Sequence, residues 1–253
     1  MSAEITRAAS LIAAASRIVV FSGAGISTES GIPDFRGPDG TWTRDPDAEH
    51  LATLSRYRSD SELRKRAWRI RLDSPMRAAQ PNGGHRAIAA LDRSGRLVAV
   101  VTQNIDGLHR AAGLDASKVI EMHGRFDATE CLGCDDRRSM ADVLERVRAG
   151  EEDPACTECG GVLKSATIFF GQSLDPEVID AAFTAARSCD VILAVGTTLS
   201  VYPAARVVPI ARESGARVII VNGEPTEMDN LADVVVRGRL GDVLPKVIGL
   251  DEA

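Results

Sequence analysis

Four cysteines fall in two C-x-x-C pairs, Cys131/Cys134 and Cys156/Cys159, with 21 residues between the pairs. Each such pair forms a tight knuckle, and two knuckles supply four thiolates for a tetrahedral zinc with Zn–S distances of about 2.3 Å. The separation lies just outside the usual window of about 15–20 residues. Four sulfurs leave no position open for water, so the implied site is structural. A redox dithiol is the rival reading, but two pairs flanking a polar insertion are hard to explain that way. Cys189, between a helical stretch and a strand-like run, reads as a small buried apolar residue.

A second group of residues points to dinucleotide chemistry. A strand-like run leads directly into Gly23-Ala24-Gly25-Ile26-Ser27-Thr28-Glu29-Ser30-Gly31. Closely spaced glycines after a strand let backbone N–H groups approach a pyrophosphate, and a helix N-terminus behind them adds a positive dipole. The usual dinucleotide fingerprint is incomplete, because Thr28 stands in place of its third glycine. The acidic residue expected about 20 positions on, at the end of a second strand, is also missing. Taken alone, the loop is compatible with a plain strand–helix turn.

Four further polar stretches end strands: Thr102-Gln103-Asn104-Ile105-Asp106-Gly107-Leu108-His109, Glu121-Met122-His123-Gly124, Gly196-Thr197-Thr198-Leu199-Ser200-Val201-Tyr202-Pro203-Ala204, and Asn222-Gly223-Glu224. An imidazole that titrates near pH ~6.5 suits a general base at neutral pH. His123 is the candidate, and its position just past a parallel strand favours that role over a surface or capping histidine. His109 reads as a packed structural group on a helix, His85 as part of a helix start, and His50 as a loop residue.

Six runs rich in Val and Ile must position these groups: Arg17–Ser22, Leu97–Thr102, Lys118–Met122, Val191–Gly196, Arg217–Asn222 and Asp233–Val236. Most are continuous rather than alternating, the mark of strands buried on both faces of a parallel sheet. Helical stretches lie between them at roughly 3–16, 84–94, 106–113, 175–188, 203–214 and 241–248. The alternation predicts an α/β fold with a doubly wound parallel sheet, its strand ends converging on one crevice. Two segments break the alternation. Residues 37–84 hold a Gly/Pro/Asp-rich loop and an Arg-dense helix over Ser61–Asp73, and 126–165 carry the cysteine pairs around a helix near Ser139–Gly150. The expected organisation is a sheet domain of 1–36, 85–125 and 166–253, with a helical insertion of 37–84 and a zinc-binding insertion of 126–165 pooled into a smaller second domain.

Composition excludes several classes. The 253 residues carry 30 Lys+Arg and 36 Asp+Glu, a formal net charge of −6, which argues against a partner bound by phosphate neutralisation. Six Phe, two Trp and two Tyr are too few for a base-stacking platform. No nucleic-acid partner is expected. No apolar run reaches the ~18 residues of a membrane span, so no membrane partner is expected either. Ala8–Ala15 is interrupted by Arg17 and followed at once by a strand, unlike a signal segment. An amphipathic first helix and a cytoplasmic location are expected.

In these motifs the chain resembles the sirtuins, the Sir2 family of NAD-dependent protein deacylases. GAGIS-x-x-SGIPDFRG, TQNIDGLH, the His-Gly pair, the paired C-x-x-C, GTTLSVYPAA and N-G-E stand in the family's order over roughly residues 17–248. The resemblance implies a Rossmann-like sheet, NAD as co-substrate, a structural Zn2+ and acylated lysine side chains of proteins as partners. By the same resemblance, Gly23, Ala24 and Gly25 hold the pyrophosphate, with Thr28 at the start of the following helix. Asp34, Phe35 and Arg36 form the cofactor loop, with Phe35 shielding the reacting sugar carbon and Arg36 near phosphate. Gln103 bonds the nicotinamide ribose, and Asn104, Ile105 and Asp106 form the carboxamide pocket. Gly196, Thr197, Thr198, Asn222, Gly223, Glu224 and Leu240 line the adenosine half. The catalytic set is His123, Asn104 and Gln103, with His123 activating ribose hydroxyls so that the acyl group moves from lysine to the sugar.

The substrate side departs from the family. A Pro-x-Val-Val-x-Phe-Gly-Glu stretch that pairs with the substrate peptide is replaced by Ser165-Ala166-Thr167-Ile168-Phe169-Phe170-Gly171-Gln172. Ile168, Phe169, Gly171 and Val201 are the candidate peptide contacts. Relatives that remove succinyl groups carry Tyr-x-x-Arg, and here the comparable helix offers Trp68-Arg69-Ile70-Arg71. Arg71 then faces an acidic acyl chain with Trp68 as a pocket wall, against the alternative of a solvated Arg-rich helix. The expected activity is deacetylation, with desuccinylation, mono-ADP-ribosyl transfer and a non-catalytic NAD- or ADP-ribose-binding zinc adaptor as alternatives. A dehydrogenase fits the glycine loop but not the QNID run.

Overall fold

The computed structural model describes residues 2–35, 37, 40–44 and 50–250. Strands β1 (Ile18–Ser22), β2 (Leu97–Thr102), β3 (Val119–Glu121), β7 (Val191–Val195), β8 (Arg217–Val221) and β9 (Val234–Val236) form one sheet in the order β3-β2-β1-β7-β8-β9, numbered along the chain. All of its pairings are parallel. Counted within this sheet alone, the order is 3-2-1-4-5-6, that of the dinucleotide-binding α/β folds. The six expected strands are all present, each trimmed by a residue or two at most.

Continuous apolar strands follow from burial on both faces. In β1, Ile18 and Val20 face one apolar cluster while Val19 and Phe21 face the other. The first cluster is covered by α1 (Ala3–Ala14), α5 (Gly83–Arg93) and α10 (Leu240–Ile248), the second by α8 (Pro176–Ser188) and α9 (Val207–Glu213). Helix α1 shows the local logic. The Ser2 hydroxyl accepts from Ile5 N at 3.3 Å as its N-cap, and Ile5, Ala8 and Ile12 recur on one buried face.

Outside the sheet are the short helices α2 (Thr41–Arg44) and α3 (Leu54–Ser59), then α4 (Ser61–Leu72), α6 (Leu108–Ala111) and α7 (Met140–Arg148). Helix α6 is shorter than the stretch 106–113. Gly107 sits in the left-handed region at φ 72° and Asp106 Oδ1 accepts from Leu108 N, so the helix starts two residues late. A three-stranded antiparallel sheet, β4 (Gly124–Cys131), β5 (Arg137–Ser139) and β6 (Leu163–Thr167) in the order β5-β4-β6, carries the cysteines and was not foreseen. Its strands mix charged and small residues and lack the Val/Ile signature. Trp68 of α4 packs with Cys131, Met140, Val143, Leu144, Cys156 and Leu163 in a separate apolar cluster, and Arg64 of α4 is bidentate on Asp153. The two segments that interrupt the alternation therefore pack on each other.

Candidate active site and cysteine centre

The strand order reverses between β1 and β7, and their carboxyl ends open the crevice. Gly23 N donates to Val195 O at 3.0 Å and Gly25 N to Gly196 O at 2.8 Å, stitching the two loops together. Gly196 lies at φ 62°, and a Cβ there would stand 2.3 Å from Ile26 N. Only glycine permits that approach. The glycines thus serve loop–loop contact, and two of the three expected pyrophosphate amides are already engaged. Ala24 N, first in its turn, has no intrahelical partner and remains available to a phosphate. Behind it the chain forms a 3-10 turn, Ala24–Ser30, closed by Gly31 at φ 83°. Thr28 is consequently not at a helix start: it is exposed inside that turn, with its hydroxyl donating to Gly25 O at 3.0 Å. Asp34 Oδ1 accepts from Gly37 N, and Phe35 is exposed. Arg36 lies outside the described residues.

The QNID loop is the most densely bonded part of the crevice. Gln103 Nε2 donates to Thr197 Oγ1 at 2.9 Å, joining the ends of β2 and β7. Asn104 is 8% exposed, and its Nδ2 reaches Gly23 O and Ser27 Oγ, both at 3.2 Å. Ser27 in turn donates to Asp106 Oδ2 at 2.7 Å. Ile105 O accepts from Phe126 N. Ser27, whose hydroxyl in GAGIS carries no distinguishing sequence signal, sits at the hub of this loop.

His123 follows β3 and faces the same loop: its Nδ1 stands 3.0 Å from Gln103 O. A carbonyl only accepts, so Nδ1 carries the proton and Nε2 keeps its lone pair. Burial holds the His123 pKa below the ordinary histidine value, partly offset by the Gln103 bond. The next residue, Gly124, lies at φ 76°, where a Cβ would stand 2.1 Å from Ala166 O. Ile168 N donates to His123 O at 2.9 Å, so β6 and its continuation hold the histidine backbone from the other side.

On the remaining side, Thr198 Oγ1 bonds Ser200 Oγ at 2.7 Å, and Asn222 Nδ2 donates to Glu224 O at 2.7 Å. Arg237, which the sequence did not single out, donates to Asn222 O and pairs with Asp229. Gly223 continues the loop after β8, and Leu240 is buried at the start of α10. Glu224 follows in the same loop, exposed and engaged through its main-chain oxygen.

The four cysteine sulfurs lie within 4.8 Å of one another. Cys131 Sγ is 3.5 Å from Cys159 Sγ, and Cys134 Sγ is 3.7 Å from Cys156 Sγ. A tetrahedron of Zn–S bonds of about 2.3 Å has S–S edges of about 3.8 Å, which these two separations match. Gly133 N and Gly161 N each donate to a cysteine sulfur, Cys131 and Cys159, at 3.3 Å, as donors suited to thiolate charge. Cys189 is buried and its thiol is pushed up to about 11 by that burial.

On the substrate side, Phe170 N donates to Ala52 O and Leu54 N to Phe170 O, so this backbone edge is already paired. Gln172 folds back, its Oε1 accepting from Phe169 N at 3.3 Å. Phe169 is buried against Tyr57 at a centroid distance of 5.2 Å, whereas Gly171 is exposed and Val201 half-buried. Trp68 does not line an open pocket: it is fully buried in the cysteine module, because the helix face that carries it is the one packed inward. Arg71 is not on a solvated face either. Its guanidinium donates to Ala67 O and Ser165 Oγ, both at 3.0 Å, and lies within 6.0 Å of the Tyr57, Trp68 and Phe169 rings. Lys164, also unforeseen, is fully buried with Nζ on Glu130 at 2.6 Å. Among the described residues no carboxylate pairs with Arg71.

A crevice at the switch point of such a sheet is where α/β proteins hold dinucleotides, and this chain is a protein of that class. More narrowly, it belongs to the Sir2 family, whose model matches residues 23–203. It is 52% identical to NAD-dependent protein deacetylase 2 of Streptomyces coelicolor over 231 residues, 91% of this chain and 96% of that protein. NAD-dependent protein deacylase 2 of Archaeoglobus fulgidus is 41% identical over 250 residues, 98% of this chain and 96% of the other. A solved structure described as the structural basis for the mechanism and regulation of Sir2 enzymes superposes with a TM-score of 0.89 at 40% identity, covering 98% of this chain and 97% of that one. No helix among the described residues is long and apolar enough to cross a membrane.

Proposed function

We infer that this chain is an NAD-dependent protein-lysine deacylase that transfers the acyl group to ADP-ribose and releases nicotinamide. The observation that carries the reading is His123, with Nε2 unprotonated, bonded through Nδ1 to the main chain of Gln103 inside the crevice. NAD supplies a ribose carbon whose bond to nicotinamide can be broken, making that carbon the acceptor of the acyl oxygen. Asn104, whose Nδ2 is held by Gly23 O and Ser27 Oγ, belongs to the nicotinamide side of the crevice. Ala24 N and the loop 23–25 take the phosphates, while Asn222, Gly223, Glu224, Thr197 and Thr198 take the adenosine half. His123 Nε2 accepts a proton from a ribose hydroxyl, and its depressed pKa keeps it unprotonated at neutral pH.

The four cysteines hold a structural zinc, supported by the fit of their sulfur spacing. The two insertions, 37–84 and 126–165, form one small module beside the sheet. A cytoplasmic location belongs to the same reading: four of the five cysteines are gathered as metal ligands, the cysteine usage of a reducing compartment. Substrate peptides carry the acyl-lysine to the crevice beside Gly171 and Val201.

A second reading concerns the acyl chain. Arg71 is a desolvated cation with no carboxylate partner among the described residues, and it stands by Ser165 and Phe169. Removal of an acidic acyl group such as succinyl is favoured by that arrangement. The deciding experiment measures nicotinamide release from NAD with acetyl-lysine, succinyl-lysine or unmodified peptide. Release that requires an acyl-lysine peptide supports the deacylase. Release without peptide would instead establish hydrolysis or ADP-ribosyl transfer, and no release would leave an NAD-binding adaptor.

A further inference from the structure

Beneath the QNID loop lies a buried polar cluster that the chemistry above does not use. Ser22 ends β1, Thr102 ends β2, His109 is on α6 and His85 is on α5, and all four are buried. Their hydrogen bonds converge on Thr102 Oγ1. Asn82 N donates to His85 Nδ1 at 3.4 Å, which places the His85 proton on Nε2. The Ser22 hydroxyl donates to Thr102 Oγ1 at 2.8 Å. A hydroxyl has one proton, so towards His109 Nε2, also 2.8 Å away, Ser22 can only accept. His109 is therefore protonated on Nε2. The chain of bonds ends on Asn104, whose N–H donates to Thr102 Oγ1 at 3.1 Å.

The two imidazoles meet edge to face with centroids 5.1 Å apart. His85 Nε2 and His109 Nδ1, the nitrogens left over, are buried without a partner among the described residues. In these tautomers His85 Nε2 is a donor and His109 Nδ1 an acceptor, and the rings meet only by their edge-to-face contact. Burial pushes His109 down to about 3 and His85 down to about 4, which keeps both rings neutral at physiological pH.

We propose that His109 is a positioning residue for the nicotinamide-side pocket, acting through Ser22 and Thr102 to hold the Asn104 peptide. Thr102 Oγ1 accepts from both Ser22 and Asn104, and its two lone pairs are filled only while the Ser22 hydroxyl points at it. The His109 Nε2 donor fixes that direction, because it occupies the acceptor side of Ser22. With the donor gone, the Ser22 hydroxyl is free to rotate, and the Thr102 hydroxyl that accepts from the Asn104 main-chain N–H loses its fixed partner. The inference rests on the assignment of Gln103–Asp106 to the nicotinamide side of the crevice.

The test compares His109→Leu, His109→Gln, Thr102→Val and Asn104→Ala in the zinc-loaded enzyme by product inhibition. His109→Leu removes the donor, His109→Gln keeps an amide N–H near the position of Nε2, and Thr102→Val removes the shared acceptor at nearly constant volume. The expected result is a rise of tenfold or more in the nicotinamide concentration for half-inhibition in His109→Leu and Thr102→Val. The acyl-peptide KM stays within twofold, and His109→Gln stays within threefold of the parent. Should His109→Leu not fold, Thr102→Val against Asn104→Ala decides. Half-inhibition within twofold of the parent in Thr102→Val, or His109→Gln as impaired as a folded His109→Leu, overturns the positioning role. An Asn104→Ala variant with unchanged nicotinamide inhibition overturns the pocket assignment itself, and the positioning role with it.

Discussion

The Nδ1 of His123 donates to the main-chain oxygen of Gln103 at 3.0 Å, so the imidazole and the Gln103–Asp106 loop form one hydrogen-bonded unit. The bond fixes the ring's tautomer and its orientation together. It also links two strand ends, β3 and β2, that a sequence separates by some twenty residues. Gly124, strained against any side chain by its close approach to Ala166, then turns the chain from His123 into the cysteine module.

Replacement of His123 by Ala is expected to lower kcat for deacylation by about 10²–10⁴-fold, the usual range for a positioned general base. Because burial lowers the pKa of His123, the acid limb of the kcat/KM profile should fall below pH ~6.5. Activity is retained above that limb and lost as the ring protonates. A pH–rate profile measured with acetyl-lysine peptide checks both statements, and a limb well above pH 7 would be incompatible with them.

Legibility differed sharply between the sheet and the site's supports. The Val/Ile runs of β1, β2, β7 and β8 are buried on both faces, and that burial writes itself as continuous apolar residues. β4 and β6 left no such signature, because residues such as Glu130 and Lys164 pair with each other inside the small sheet. His123, Gln103 and the four cysteines stood out by type and spacing. Ser22, Ser27 and Thr102 did not, since a hydroxyl acquires its role only from partners that are distant in sequence. Arg71 stood out in its Arg-rich helix only through the spacing from Trp68, and its contacts with Ser165, Tyr57 and Phe169 come from segments distant in sequence.

Gly124→Ala should be costly, and for a backbone reason. At φ 76° a Cβ would stand 2.1 Å from Ala166 O, so either the turn after His123 or β6 must move. A left-handed non-glycine residue alone costs on the order of 1–3 kcal/mol, and the overlap adds to it. The expected outcome is a lower melting temperature together with at least a tenfold loss of kcat, read by calorimetry and by the peptide assay. A variant of parental activity would show that the turn is not coupled to the base.

Arg71→Met is expected to separate acyl groups. A charge-assisted bond to a carboxylate contributes about 1.5–3 kcal/mol, so kcat/KM for a succinyl peptide should fall by roughly 10–100-fold. Acetyl peptide, which offers no charge to Arg71, should lose threefold or less. Equal losses on both peptides would assign Arg71 to packing against Tyr57 and Phe169 alone.

Chelation should remove one zinc per chain and loosen the module rather than the sheet. The cysteines tie β4 to the strand-bearing segment before β6, and their apolar cluster with Trp68 and Leu163 depends on that tie. Loss of about 3–5 kcal/mol, at roughly 2 °C per kcal/mol in a chain of this size, corresponds to a fall of about 6–10 °C. Cys156→Ser should reproduce the fall and release zinc to a colorimetric indicator. Zinc-free protein with an unshifted transition would argue that the four thiols do not hold a structural ion.

The buried pair His85 and His109 makes stability depend on acidity in a defined window. Both folded pKa values lie below the unfolded value of 6.5, at about 4 and about 3, chiefly through burial. Between those limits the unfolded chain binds more protons than the folded one, so stability rises with pH. It is fully present above about pH 7 and is lost as pH falls from 6.5 towards 4, by up to about 1.4 kcal/mol per pH unit for each histidine. Urea midpoints measured from pH 7.5 to 4.5 should decline accordingly. His109→Gln, which cannot take up a proton, should make the decline shallower, while His85 and His123 continue to contribute, and a slope equal to the parent's would show that His109 does not contribute to it.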